Sequence, residues 1–257
     1  MYFKSLGSGS GGNATLIHAV DTPEECLLVD CGLGIRELER RVIAAQRQPA
    51  HIKALVITHE HGDHAGCVAS WSRKYDCPVY LSRGTWHALK EPQFGGGMHW
   101  IQDATPLSLL GMSLLPFTVP HDAREPLQLR VSRGNKHLGI LTDIGQATPH
   151  VLNHLQGVHS LILECNHEPE LLQTGPYPAA LKKRVGGDWG HLANRQAGAI
   201  LQSLWHDQLH QVVAAHLSET NNTRAHAQAS LLQALPVNHA VETVIASPQD
   251  GTPWLRV

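Results

Sequence analysis

Along this chain short apolar runs give way repeatedly to stretches of helical periodicity, and each change of period marks an element. Runs bounded by Gly, Asn or Pro predict strands at residues 2–6, 14–20 and 25–30. Leu38, Val42 and Ile43 then share one face of a predicted helix over 34–48, with charges opposite. The apolar run 53–57 predicts a strand that leads into a histidine-rich turn and a helix reaching about residue 75. A short strand at 78–81 and a short helix at 82–89 follow, and Phe94-Gly95-Gly96-Gly97 reads as a flexible loop.

The second half repeats the mixture. Strands are predicted near 107–110, 113–119, 127–131 and 137–142, then a helix at 149–155 and a strand at 160–164. A loop holding Gly175-Pro176-Tyr177-Pro178 precedes helices at 179–185 and 192–205. A strand at 211–215, a helix at 223–235 and two final strands complete the pattern. Strands and helices in both halves predict an α/β fold in which two sheets meet face to face with helices outside, a four-layer αββα sandwich. No internal repeat interrupts it, so one domain is expected over residues 1–257.

Composition narrows the class. A hydrophobic fraction of 42% with 16% charged residues describes a globular chain rather than a disordered one. No apolar run approaches the roughly 20 residues that span a bilayer, and the first seven residues lack the apolar region of a signal peptide. No membrane partner and a cytoplasmic location are therefore expected. Cys26, Cys31, Cys67, Cys77 and Cys165 are odd in number and show no CxxC spacing, which predicts buried free thiols rather than a zinc ribbon. The net charge of -2 supplies no global attraction for a polyanion, so any nucleic-acid contact needs a local basic patch.

The chemistry concentrates in Thr58-His59-Glu60-His61-Gly62-Asp63-His64, directly after an apolar strand. Side chains two apart on extended backbone point the same way, so His59 and His61 can reach one ion together. Asp63 and His64 enter the next helix offset to one side, where they can hold a second. Imidazole and carboxylate suit zinc, manganese or iron. Three further residues end predicted strands and are candidate ligands: His121 after 113–119, Asp143 after 138–142, and His216 after 211–215. A rigid sheet is a good support for such groups.

These residues, in this order and with Asp30, resemble the metallo-β-lactamase superfamily. The segments Leu6-Gly7-Ser8-Gly9-Ser10-Gly11-Gly12-Asn13, Leu28-Val29-Asp30-Cys31-Gly32-Leu33, His121-Asp122-Ala123-Arg124-Glu125-Pro126, Gly175-Pro176-Tyr177-Pro178 and Gly190-His191-Leu192-Ala193-Asn194 are similar to the YycJ (WalJ)-like branch of exonuclease-type phosphodiesterases. The similarity runs from about residue 2 to 235. It implies a dinuclear site for two divalent cations, zinc or manganese: His59, His61 and His121 on the first, Asp63, His64 and His216 on the second, Asp143 bridging. Two cations about 3.5–4 Å apart can share a hydroxide for in-line attack on phosphorus, with Asp63 orienting it. Asp30 would fix the tautomer of a ligand histidine from behind.

In the related tRNA 3′-processing nucleases, a Gly-His at a helix start supplies the leaving-group proton or a phosphate contact. The resemblance implies that His191 is the general acid, just before a helix whose N-terminal amides favour an anion, with Glu164 raising its pKa. His167 is a candidate for the cleft lining. Lys182, Lys183 and Arg184 form a basic run that is either a solvated helix face or a contact to a phosphate backbone. Tyr177 and Trp189 can stack a base or pack internally, and the Gly7–Gly12 run reads as a tight turn between strands.

The activity implied is hydrolysis of nucleic acid, 5′-to-3′ on DNA ends. Three alternatives stand beside it: a small cyclic or nucleotide phosphodiesterase at the same metals, a lactamase or thioester hydrolase, and a structural metal staple. Structural zinc sites are usually cysteine-rich, which this ligand set is not.

Overall fold

The structure, a computed structural model, describes residues 1–257 and holds two seven-stranded sheets. The first is built from β1 (Tyr2–Gly7), β2 (Ala14–His18), β3 (Cys26–Val29), β4 (Ile52–Val56), β5 (Val79–Leu81) and β6 (Met98–Trp100), with β14 (Leu255–Arg256) on the outer edge of β1. The second runs β13 (Glu242–Ile245), β12 (Gln211–Ala215), β11 (Ser160–Glu164), β10 (Lys136–Leu141), β9 (Leu127–Arg133), β8 (Met112–Thr118), β7 (Leu107–Leu109).

Strand alternation sorts the core into three layers. In β3, Leu27 and Val29 face the other sheet, whereas Cys26 and Leu28 face the helices. β11 and β12 do the same from the opposite side: Ile162, Val213 and Ala215 join the inter-sheet layer, and Leu161, Leu163, Val212 and Ala214 turn outward. Helices α1 (Ile35–Ala44) and α3 (Val68–Tyr75) cover the first sheet through Leu38, Val42, Val68 and Trp71. Helices α5 (Pro149–Leu155), α8 (Asn194–Leu204) and α9 (Arg224–Ala234) cover the second. The result is the αββα sandwich expected from the sequence.

Several local expectations need correction. The helix expected from the histidine turn to Tyr75 is two helices, α2 (Gly62–Ala65) and α3, separated at Gly66 and Cys67. The glycine loop at 94–97 is packed rather than free: a Cβ on Gly95 or Gly96 would stand 2.6 Å from Ser72 O or 2.3 Å from Cys77 C. It feeds β6, an edge strand of three residues that the periodicity does not reveal, and α6 (Pro169–Thr174) was likewise not anticipated. Two more short helices are α4 (Arg83–Ala88) and α7 (Ala179–Val185). All five cysteines are buried and free, and no helix is long and apolar enough to cross a membrane.

What matters for the site is direction. β3 and β4 run parallel, as do β10, β11 and β12, so their carboxyl ends collect on one rim. Ligands in α/β sheets bind outside such ends. Asp30, His59, Asp143, Glu164 and His216 all stand at or just beyond them.

Candidate metal centre

Three of these strand-end residues have left-handed backbone: Asp30 (φ 63°), Asp143 (φ 52°) and His216 (φ 54°). A non-glycine residue there costs free energy, and such strain collects at functional sites. Each lies within two residues of a strand end and leaves a polar side chain at the rim.

Around that rim the predicted ligand atoms converge in two neighbouring groups, within 4.8 Å of one another in each: His59, His61 and His121 in one, Asp63, His64 and His216 in the other. His59 Nε2 lies 3.0 Å from His61 Nδ1, which lies 3.3 Å from His121 Nε2. His216 Nε2 is 3.3 Å from Asp63 Oδ2, with His64 Nε2 at 3.7 Å. Asp143 stands between the groups, its Oδ2 2.9 Å from His64 Nε2, and it also joins His59 and His64 in a third cluster.

The far side of each ring explains the fit to cations. His64 Nδ1 donates to Asp30 Oδ2 (2.8 Å), His121 Nδ1 to Gly190 O (3.0 Å), and His216 Nδ1 to Glu164 Oε1 (3.1 Å). His59 Nδ1 is 3.0 Å from Thr58 Oγ1, which itself donates to Asp30. With one nitrogen committed to an acceptor, the other presents a lone pair to the cluster, as in metal-bound histidine. Asp143 Oδ2 is buried 2.9 Å from His64 Nε2; with His64 Nδ1 donating to Asp30, that nitrogen brings a lone pair and the carboxylate oxygen is left without a donor, a cost of about 1–3 kcal/mol or more for a charged group. A cation among these lone pairs removes it. The residues therefore fit divalent metal ions.

Protons compete with cations for the same nitrogens. Burial opposes charge on His64, yet Asp143 and Asp30 outweigh it and raise its pKa well above the ordinary value. For His216 burial is likewise outweighed, by Asp143, Asp63 and Glu164, and the pKa rises to about 10. His59 goes the other way: burial, then the neighbouring His64, lowers it well below the usual imidazole range. Burial also lowers His121. Asp143, although buried, is held well below the carboxylate range by His216 and His64.

His191 and Glu164 meet as the sequence suggests, Nδ1 to Oε1 at 2.7 Å. Burial works against charge on His191, but Glu164 raises its pKa. In return His191 and His216 overcome the burial of Glu164 and hold it at about 2. The helix-terminus part of the expectation is corrected. α8 begins at Asn194, so His191 precedes the first helical residue by three, and the Leu192 N–H is engaged by Glu164 Oε2 (3.2 Å).

Other placements differ from expectation. His167 is 3% exposed, and its Nδ1 has no partner. The basic run divides. Lys182 Nζ donates to Gln173 O (2.7 Å), Arg184 pairs with Asp122, and Lys183 stays exposed.

Residues that sequence reasoning missed stand close by. Asn13 Nδ2 is 3.0 Å from His64 Nε2 and donates to Asp63 O at 3.2 Å, while Ser8 Oγ accepts the His216 N–H at 2.8 Å. Their glycine-rich run is more than a turn, for it braces the second ligand group. Asp122 Oδ1 lies 3.4 Å from His121 Nε2 and 3.9 Å from His61 Nε2. Its position beside His121 was the available signal.

Residues 26–217 match the β-lactamase superfamily domain family. The chain belongs to this family of metallo-β-lactamase-fold hydrolases. It is 32% identical over 238 residues to exodeoxyribonuclease YycJ of Bacillus anthracis, covering 91% of this chain and 89% of that one. It is 28% identical to exodeoxyribonuclease WalJ of Streptococcus pneumoniae, covering 99% and 97%. Among solved structures, the metallo-β-lactamase fold protein YhfI from Bacillus subtilis superposes with a TM-score of 0.77 at 15% identity, covering 99% of both chains. Zn(2+)-bound PqqB from Methylobacterium extorquens gives 0.75 at 16%, covering 100% of both. At these identities the two structures speak to the fold alone.

Proposed function

We propose that this protein is a metal-dependent exodeoxyribonuclease that hydrolyses phosphodiester bonds from DNA ends in the 5′-to-3′ direction, within one domain and with two divalent cations, zinc or manganese. The observation that carries the reading is the convergence of His59, His61, His121, Asp63, His64, His216 and Asp143, with the far nitrogen of four of the imidazoles held by an acceptor. Similarity over nearly the whole chain to two exodeoxyribonucleases supports DNA as the substrate.

His59, His61 and His121 would hold one cation and Asp63, His64 and His216 the other, with Asp143 shared. Cations held there supply an ionised water at neutral pH and neutralise charge on the phosphoryl oxygens. Asp63 Oδ2, beside His216 Nε2, accepts a hydrogen bond from the attacking water and orients it. His191 keeps Nδ1 on Glu164 and donates from Nε2 to the leaving oxygen, a general acid whose pKa Glu164 raises. Asp30 holds His64 in the required tautomer.

The test is a panel of end-labelled single- and double-stranded DNA and RNA with defined 5′ groups, assayed with zinc and with manganese. Metal content is measured on the same preparations. Mononucleotide release from 5′ DNA ends and two metal equivalents are expected. Cleavage of small cyclic or chromogenic diesters alone would replace this reading with the small-diester one.

A further inference from the structure

We propose that the cleft beside the metal centre takes the nucleobase of the nucleotide adjoining the scissile phosphate, stacked on Trp189, with Lys183 near the neighbouring phosphate. This rests on the nuclease reading above. A depression of about 350 Å³ is lined by Trp189, Lys183, Arg184, Ala180, Asp122 and Asp188, among others. It lies near the small end of the roughly 300–1,000 Å³ range of ligand sites, a size for one residue of a polymer rather than several. Asp122 ties it to the metal centre, since the same carboxylate lining the cleft approaches His121 and His61.

The backbone under Trp189 is fixed from two sides. A Cβ on Gly145 would stand 2.2 Å from Asp188 O and 2.6 Å from Trp189 N. One on Gly190 would stand 2.1 Å from Arg184 O, and Gly190 O in turn holds His121. On this rigid segment the Trp189 side chain is 63% exposed. Trp100, also exposed, has Arg83 over its ring and Trp86 against its edge. Trp189 has no such partner. An uncovered indole on fixed backbone beside a phosphoryl site is a stacking platform with little ordering cost.

The charges around the cleft balance, with Lys183 and Arg184 facing Asp122 and Asp188. Arg184 pairs with Asp122, and Lys182 is turned to Gln173 O. Lys183 is the exposed cation of the run without a side-chain partner, a contact that carries backbone affinity without base preference. A flat aromatic face accepts any base, and a sequence-tolerant exonuclease requires that tolerance.

The experiment compares wild type, Trp189→Ala and Trp189→Phe on single-stranded DNA and on bis(4-nitrophenyl) phosphate, with metal content measured throughout. Stacking contributes an amount that corresponds to about 5- to 160-fold per base. The ratio of kcat/KM on DNA to kcat/KM on the diester is therefore expected to fall by that factor in Trp189→Ala, mainly through KM, and to recover in Trp189→Phe. A 2-aminopurine at the bound DNA end should be quenched by wild type and not by Trp189→Ala. An unchanged ratio in an active enzyme overturns the stacking site and leaves the nuclease reading standing. A wild type that cleaves the diester but no DNA overturns both.

Discussion

Glu164 Oε1 lies 2.7 Å from His191 Nδ1 and 3.1 Å from His216 Nδ1, so one buried carboxylate orients two imidazoles at once. Its other oxygen accepts the backbone N–H groups of Ile144 (3.0 Å) and Leu192 (3.2 Å). A side chain at the end of β11 thereby joins the end of β10, the approach to α8 and a candidate metal ligand.

Glu164→Gln replaces one acceptor oxygen by an amide nitrogen and leaves either both imidazoles or both backbone donors unpaired. Turnover should fall by about 10- to 100-fold, with weaker metal binding. His191→Ala should reduce kcat by about 10²- to 10⁴-fold while metal content is retained. Steady-state kinetics and elemental analysis of the two variants check this. Unchanged turnover in His191→Ala would remove the general acid.

Asp30 combines a left-handed backbone with bonds to His64 Nδ1 and the Thr58 N–H (2.9 Å). Asn tolerates that backbone, but an amide nitrogen facing His64 turns the ring to its other tautomer. Asp30→Asn should keep the fold and lose about 10- to 100-fold in metal affinity. Asp30→Ala abandons a buried pair and should cost about 3–5 kcal/mol of stability. Metal titration and urea unfolding separate the two, and undiminished metal affinity in Asp30→Asn would refute the orienting role.

Gly145 faces the backbone of Asp188 and Trp189 too closely for any side chain. Gly145→Ala should displace the segment that carries His191 and the carbonyl that orients His121. Misplacement on the order of 1 Å can cost about 10²-fold in rate, so turnover should drop by that order in a protein that remains folded by circular dichroism. Full activity would show that this segment does not position the site.

His159 lies away from the metal centre, 5% exposed, with Nδ1 accepting the His137 N–H at 3.3 Å. Burial, then Lys136, His137, His210 and His206 around it, pushes its pKa down to about 4 from 6.5. As pH falls, the unfolded chain therefore takes up this proton before the folded one does. The stability that neutral His159 contributes is present above pH 6.5 and is lost progressively toward pH 4. His159→Gln, which cannot titrate, should be less stable than wild type at pH 7 by about 1 kcal/mol, and the gap should close as pH falls and reverse before pH 4, because only the wild type is destabilised by this proton. Urea midpoints at several pH values measure it, and a gap independent of pH contradicts the assignment.

Much of this molecule was readable in one dimension. Apolar period distinguishes β3, β11 and β12 from α1 and α8, because alternation and helical spacing are imposed by backbone geometry at each residue. The candidate residues at the strand ends were legible for a related reason: a polar residue just after an apolar strand is held at a sheet rim whatever the remaining topology. Edge strand β6 and helix α6 escaped because three to six residues carry too little periodicity.

Tertiary structure alone decided what each group touches. That Glu164 serves both His191 and His216, that Asn13 reaches His64 across the sheet, and that His167 is buried while Trp189 stands open all depend on contacts between residues far apart in the chain. Local sequence encodes the direction of a side chain from its own backbone, whereas burial, ring tautomer and pKa are set by whichever distant atoms arrive beside it. The site's inventory was therefore local, and its electrostatic organisation was not.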